Sequence, residues 1–278
     1  MKRLLIGIDF SAASLHALHY SRQLAAALGL ELTLAFANPY TTAESALPER
    51  AHKAMISREA TAYRQKLNRL MTDYPHEGEG LPEVPFSVEV LAGPPESALA
   101  AAAQQHQADF IAIGSRQKHS LGEQLFGSVS TGLIYRAACP VLLIPEGALY
   151  TPVAQIALAV DPEAAQVPDL PVLKQVASRL NAGVRPFSVS LSVDGVQAPH
   201  RRSYNGVWAD VVPAGSIPGG IQAYMQGMPA QWLAMQLPKR TLLQHWLHGQ
   251  LLRHMAWKSP CPLWIAVPGN QANPSSTA

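Results

Sequence analysis

The sequence predicts an α/β protein of two tandem doubly wound domains, each a five-stranded parallel sheet of order 3-2-1-4-5 flanked by helices. Three observations carry this expectation. One long segment occurs twice. Short apolar runs, fit for strands buried on both faces, alternate with helical patterns. A chain of 278 residues also has room for two ordinary domains.

The repeat comes first because it sets the architecture. A shift of 122 positions lays Ala92-Gly93 on Ala214-Gly215, Gln104 on Gln226 and Ala108 on Ala230. Leu121, Leu125 and Gly127 fall on Leu243, Leu247 and Gly249, and Cys139-Pro140 on Cys261-Pro262. The two cysteines are the only ones in the chain. The expected domains are residues 1–149 and 150–268, with a flexible tail at 269–278.

In the first copy, Arg3–Asp9 reads as a buried strand. Ser11–Leu28 has helical spacing, offering Leu15, Leu18, His19, Leu24 and Ala27 to one side and Gly29 as a stop. Glu31–Phe36 is the second strand, and Pro48–Tyr74 a long charged amphipathic helix. Phe86–Leu91 is the third strand, followed by an Ala-rich helix over Pro95–Gln107. Phe110–Gly114 is the fourth strand, Leu121–Arg136 a helix and Val141–Ile144 the fifth strand. In a sheet of this order the winding reverses between strands one and four, and ligands sit outside the strands' carboxyl ends there. Asp9 is thereby expected beside Gly114. The loop after Gly114 can aim N–H groups at an anion, with small residues at Gly127 and Ser128.

In the second copy, Asp161 takes the place of Asp9 at an offset of 152, so about 30 residues are missing between its first and third strands. The counterpart of the long charged helix is expected to be absent, with loop residues Asp194–Asn205 instead. Strands are expected at Gln155–Val160, Arg185–Ser190, Val207–Val212, Trp232–Met235 and Leu263–Ala266. The anion loop has not survived. Gln236 replaces Gly114, Lys239 replaces Gln117, Gln250 replaces Ser128, and Pro238 removes a backbone donor. No nucleotide is expected there.

Composition narrows the function classes. Hydrophobic residues make up 48% and charged residues 14%, the profile of an ordered chain. Residues 1–149 carry 12 basic against 14 acidic side chains, the remainder 9 against 5. That mild basicity lacks the clustered stripe that nucleic-acid binding needs. The first apolar run ends at Asp9, too soon for a secretory signal. No run approaches the roughly 18 apolar residues of a membrane span. A cytoplasmic, reduced protein without membrane or nucleic-acid partners is expected. No Gly-x-Ser-x-Gly elbow, metal triad or Walker lysine motif is present, so no catalytic residue is assigned. His245, His248 and His254 share a helical pattern without a carboxylate of matching spacing, which reads as surface or interface histidine rather than a metal site.

The spacing of Gly114, Gln117 and Gly127-Ser128 carries a family resemblance. So do the opening Gly-Ile-Asp9-Phe-Ser11 and the ending Cys139-Pro140-Val-Leu-Leu-Ile-Pro145. Over residues 1–146 the chain resembles the universal stress proteins. Their nucleotide-binding members carry glycine, two residues, glycine, nine residues, then glycine with serine or threonine. Here Gln117 stands at the second glycine. The resemblance implies a Rossmann-like, adenine-nucleotide alpha-hydrolase-like fold and a stress-response binding or regulatory role. It further implies an ATP site, with Mg, drawn from Asp9, Ser11, Ala37, Ile113, Gly114, Arg116, Gln117, Gly127, Ser128, Val129 and Ser130. By the same resemblance Asp9 approaches the adenine and Ala37 packs on it.

Each residue also has a plain structural reading. Asp9 suits a buried cap, Ala37 core packing, and Ser11 a helix N-cap. Arg116, Lys118 and His119 suit phosphates or an exposed loop. Gln117 brings a side chain where glycine would admit close backbone approach. At most weak ATP hydrolysis would follow. The last strands, Val141–Ile144 and Leu263–Ala266, are edges able to pair and join the two copies as a pseudo-dimer. A homodimer is the family's analogue of that arrangement. The second copy is rich in Trp and Met: Met225, Met228, Trp232, Met235, Trp246 and Trp257, with Tyr224. These suit core and domain interface. They equally suit an interaction protein whose second domain binds a protein or an apolar ligand.

Overall fold

A computed structural model describes residues 1–38, 49–72, 82–115, 128–191, 198–237 and 261–266. The first half runs β1 (Arg3–Gly7), α1 (Ala12–Leu28), β2 (Glu31–Asn38), α2 (Glu49–Thr72), β3 (Phe86–Ala92), α3 (Pro95–Gln105), β4 (Phe110–Ser115), α4 (Ser128–Arg136) and β5 (Val141–Pro145). The second half runs β6 (Gln155–Ala159), α5 (Pro171–Leu180), β7 (Gly183–Leu191), β8 (His200–Tyr204), β9 (Val207–Ala214), α6 (Ile217–Gly227), β10 (Trp232–Gln236) and β11 (Leu263–Ala266). Among the described residues the strands form one sheet, ordered β3-β2-β1-β4-β5-β11-β10-β6-β7-β9-β8. Each half thus shows the 3-2-1-4-5 winding, and β5 and β11 pair antiparallel with Trp264 opposite Leu142.

The central strands β1, β4 and β5 are apolar on both faces because each feeds two cores. Leu4 and Ile6 face one core and Leu5 the other, and each core draws residues from both halves. On the first face Trp264 stacks on Trp232 with centroids 6.0 Å apart and meets Phe110 at 5.1 Å. Both tryptophans are fully buried. The Trp232 indole N–H donates to Tyr20 Oη of α1 at 2.7 Å, a bond between the halves. Arg179 of α5 reaches across to donate to the carbonyls of Leu28 and Met1, at 2.8 and 2.9 Å. Trp232 and Met235 therefore act as core. Trp246, Trp257, His245, His248 and His254 lie outside the described residues.

Two expectations are adjusted, and a third lies partly outside the described residues. The buried stripe of α1 runs through Ala17, Leu18, Ser21, Leu24, Ala25 and Leu28. Leu15 and His19 are half-buried and Ala27 is exposed, because α1 packs through its small residues. Of the helix expected over Leu121–Arg136, Ser128–Arg136 is described, and residues 121–127 lie outside the described residues. The expected loop Asp194–Asn205 holds a strand, β8, paired antiparallel with β9, so the second half has a sixth strand that is not parallel. Its cause is local. Asn205 and Gly206, both at positive φ (50° and 87°), make a two-residue hairpin turn that matches strand twist. No helix equivalent to α2 occurs among the described residues between β7 and β9.

The halves keep register closely. Strands β1 and β6 begin at Arg3 and Gln155, β2 and β7 at Glu31 and Gly183. Helices α1 and α5 end at Leu28 and Leu180, each closed by a left-handed residue, Gly29 (φ 63°) or Asn181 (φ 52°). They begin differently. α1 has 17 residues and α5 only 10, so α5 lacks the first two turns.

Candidate functional site

The crevice of the first half lies where β1 and β4 run side by side, with Gly7 opposite Ile113. Ile8 follows, its N–H held by the Ala35 carbonyl at 2.8 Å, and delivers Asp9 to the carboxyl edge of the sheet. Asp9 is exposed, not the buried cap that the plainer reading allowed. Its Oδ1 accepts from the Ser11 N–H at 2.9 Å and from the Ser11 hydroxyl. Ser11 Oγ in turn accepts from the Ser14 N–H at 3.3 Å, so Ser11 is the N-cap of α1. A short polar relay therefore fixes the entry of α1 and holds the Asp9 carboxylate at the crevice mouth.

Gly114 has a specific steric role. A Cβ there would lie 2.3 Å from the Ala13 carbonyl oxygen and 2.9 Å from the Ser14 nitrogen. The first turn of α1 sits directly on the end of β4, and glycine is what lets the two backbones touch. Ile113 is buried beside it. Ala37 is 7% exposed on β2, on the same side of the sheet as Ala35. Ser128, Val129 and Ser130 open α4, with Val129 half-buried and Ser130 buried. The structure thus brings Asp9, Ser11, Ile113 and Gly114 together at one strand boundary, with Ala37 one strand away. Arg116, Gln117, Lys118, His119 and Gly127 lie outside the described residues.

An aromatic cluster beside Asp9 escaped sequence reasoning. Phe10 adopts φ 61°, a left-handed conformation uncommon for a bulky residue. Its ring meets Phe36 at 5.2 Å and Tyr63 of α2 at 6.0 Å. The Lys66 ammonium sits 3.9 Å over it. The signal available in the sequence was an aromatic residue directly after the strand-end aspartate. What it touches required α2 to be placed. Asn38, buried at the end of β2, donates to Glu59 of α2 at 3.3 Å. Together these contacts seat α2 over one side of the crevice.

Cys139 is not set up for reactive chemistry. No disulfide joins Cys139 and Cys261. Burial pushes the Cys139 thiol up to about 12, with the Asp109 carboxylate adding to the effect. It stays protonated at neutral pH and is a poor nucleophile.

A doubly wound parallel sheet with its crevice at the β1–β4 boundary defines a class of α/β ligand-binding folds. Within that class the chain belongs to the universal stress protein family, whose family model matches residues 1–145. A universal stress protein from Archaeoglobus fulgidus DSM 4304 superposes with TM-score 0.65 at 19% identity, over 96% of this chain and 98% of that one. A putative universal stress protein from Pseudomonas aeruginosa UCBPP-PA14 does so with TM-score 0.54 at 15% identity, over 96% and 93%. A functionally unknown protein from Pseudomonas aeruginosa PAO1 gives TM-score 0.57 at 15%, over the same shares. These identities speak to fold. No protein of curated function matches the chain. Among the described residues no helix is long and apolar enough to cross a membrane.

Proposed function

We propose that this chain is a tandem universal stress protein acting as a cytoplasmic, non-enzymatic binding and regulatory protein of the stress response. Its domains are residues 1–149 and 150–268, joined as an intramolecular pseudo-dimer. The first domain takes ATP with Mg. Asp9 and Ala37 contact the base, and the segments Gly114–Gln117 and Gly127–Ser130 contact the phosphates.

The observation that carries the reading is the crevice itself. Gly7 pairs with Ile113 where the winding reverses, and the exposed Asp9 carboxylate, held by Ser11, stands at its mouth. The base side fits a planar ligand, since Ala37 is small and buried. Gly114 supports the reading only indirectly, because its missing Cβ accommodates α1 rather than a ligand. The antiparallel β5–β11 pairing supports the pseudo-dimer. It lets the second half cover an edge that a single-domain relative would cover with another chain.

The test is calorimetric titration with ATP at near-physiological magnesium. Wild type should bind one nucleotide, and Gly127→Glu and Asp9→Ala should lose at least about tenfold in affinity (about 1.4 kcal/mol). Equal binding by wild type and both variants, or no binding at all, would reject the first-domain nucleotide site.

A further inference from the structure

The crevice of the second half is rebuilt rather than closed. At the carboxyl ends of β6, β7 and β10 lies a cavity of about 400 Å³. That volume is within the roughly 300–1,000 Å³ of small-molecule sites. It is the positional counterpart of the first-half crevice. Asp161 stands for Asp9, Val189 for Ala37, Met235 for Ile113 and Gln236 for Gly114, and all four line it.

Its origin is the short α5. In the first half Ala13, in the first turn of α1, presses on Gly114. In the second half the helix begins only at Pro171. The segment before it is irregular and rich in Ala and Pro. Gln236 now has room for a side chain, and Ala165, the counterpart of Ala13, lines the same cavity instead of filling it.

The lining is mainly apolar, including Val160, Phe187, Val189, Ile217, Ile221 and Met235. Among the described residues that line it there is no Lys, Arg or His. Two carboxylates stand at its rim: Asp161, exposed, and Asp169, paired with Lys174 at 2.7 Å. Arg202 donates to the Pro162 carbonyl at 3.0 Å and lies over the Tyr204 ring. Desolvating a phosphate against this apolar wall, with two carboxylates at its rim, costs heavily. Among the described lining, the uncharged side chains able to hydrogen-bond are Gln166, Gln236 and Ser188, and Ser188 Oγ already accepts from Tyr204 Oη at 3.0 Å.

We infer that this cavity is a second ligand site, selective for an uncharged apolar organic molecule carrying one hydrogen-bonding group, and that it rejects nucleotides. The two crevices of one chain then have different ligand chemistry at equivalent positions.

The full-length protein would be titrated with prodan, an uncharged naphthalene dye, with anilinonaphthalene sulfonate, an anionic dye of similar size, and with ATP as competitor. The expected result is one prodan site with blue-shifted emission, at least tenfold tighter than the anionic dye and not displaced by ATP. Ile217→Trp should weaken prodan at least tenfold by filling the cavity. Ala165→Trp, at an exposed rim position, is the second filling variant should Ile217→Trp not fold. Asp161→Lys should tighten the anionic dye severalfold and leave prodan within twofold. Gly127→Glu should leave prodan unchanged, which separates failure of this site from failure of the first-domain nucleotide site. Absence of prodan binding, binding indifferent to the filling variants, or displacement by ATP would overturn the inference.

Discussion

The end of β4 and the end of β10 occupy the same place in their halves, yet they are built on opposite terms. At β4 a glycine is compressed under the first turn of α1, and that helix is capped by a serine which also holds the strand-end aspartate. At β10 a glutamine stands free of such pressure, because the two turns of helix that would lie on it are missing. A fold can therefore keep strand order, register and helix C-caps while changing what its crevice accepts. One trimmed helix start is enough. The strands are fixed by burial on both faces, so divergence collects at the carboxyl edge, where no second layer constrains it.

The largest effect should come from the joint between the halves. Trp264→Ala removes a fully buried indole between Phe110 and Trp232 and should cost about 3–5 kcal/mol in denaturant unfolding. Loss should be cooperative across both halves. Separate transitions for the two would break the pseudo-dimer reading. Next, Gly114→Ala should cost about 3 kcal/mol, since its new methyl meets backbone that cannot yield. The matched change Gln236→Gly should cost only about 0.5–1 kcal/mol from backbone entropy. Similar costs for the two would mean that the crevices are not built differently after all.

Tyr20→Phe strips the Trp232 indole of its acceptor in a dry interior and should cost about 2 kcal/mol. An unchanged midpoint would show that this bond does not tie the halves. Gly206→Ala puts a Cβ on a residue at φ 87° and should cost about 1 kcal/mol. Hydrogen exchange should rise in the β8–β9 hairpin and leave the first half untouched.

The smallest effect is in pH. Burial, then His16 and Arg22, holds the His19 pKa below 6.5. The unfolded chain takes up that proton first as pH falls, so stability should decline as pH drops below about 6.5. Residue 171, its counterpart on α5, is a proline and cannot titrate. His19→Gln should flatten the acid limb of a melting-temperature profile, and an unaltered limb would assign it elsewhere.

Much of this was legible in the chain. Apolar runs placed nearly every strand, because a strand buried on both faces must be apolar throughout. Asn205-Gly206 was a readable hairpin signal inside what read as a loop, and β8 follows from it. The candidate residues at the strand ends were legible as positions, not as contacts. Phe10 against Tyr63, and Trp232 against Tyr20 across 212 positions, depend on segments distant in sequence.

The sequence by itself determined the α/β class, the duplicated plan and the register of its two copies, since hydrophobic period and internal repetition are local properties. Tertiary structure alone decided why Gly114 must be glycine and Gln236 need not be. It also decided that the second crevice stays open and that the two halves share continuous cores. Each of these depends on where one backbone lies against another, and no stretch of the chain records that distance.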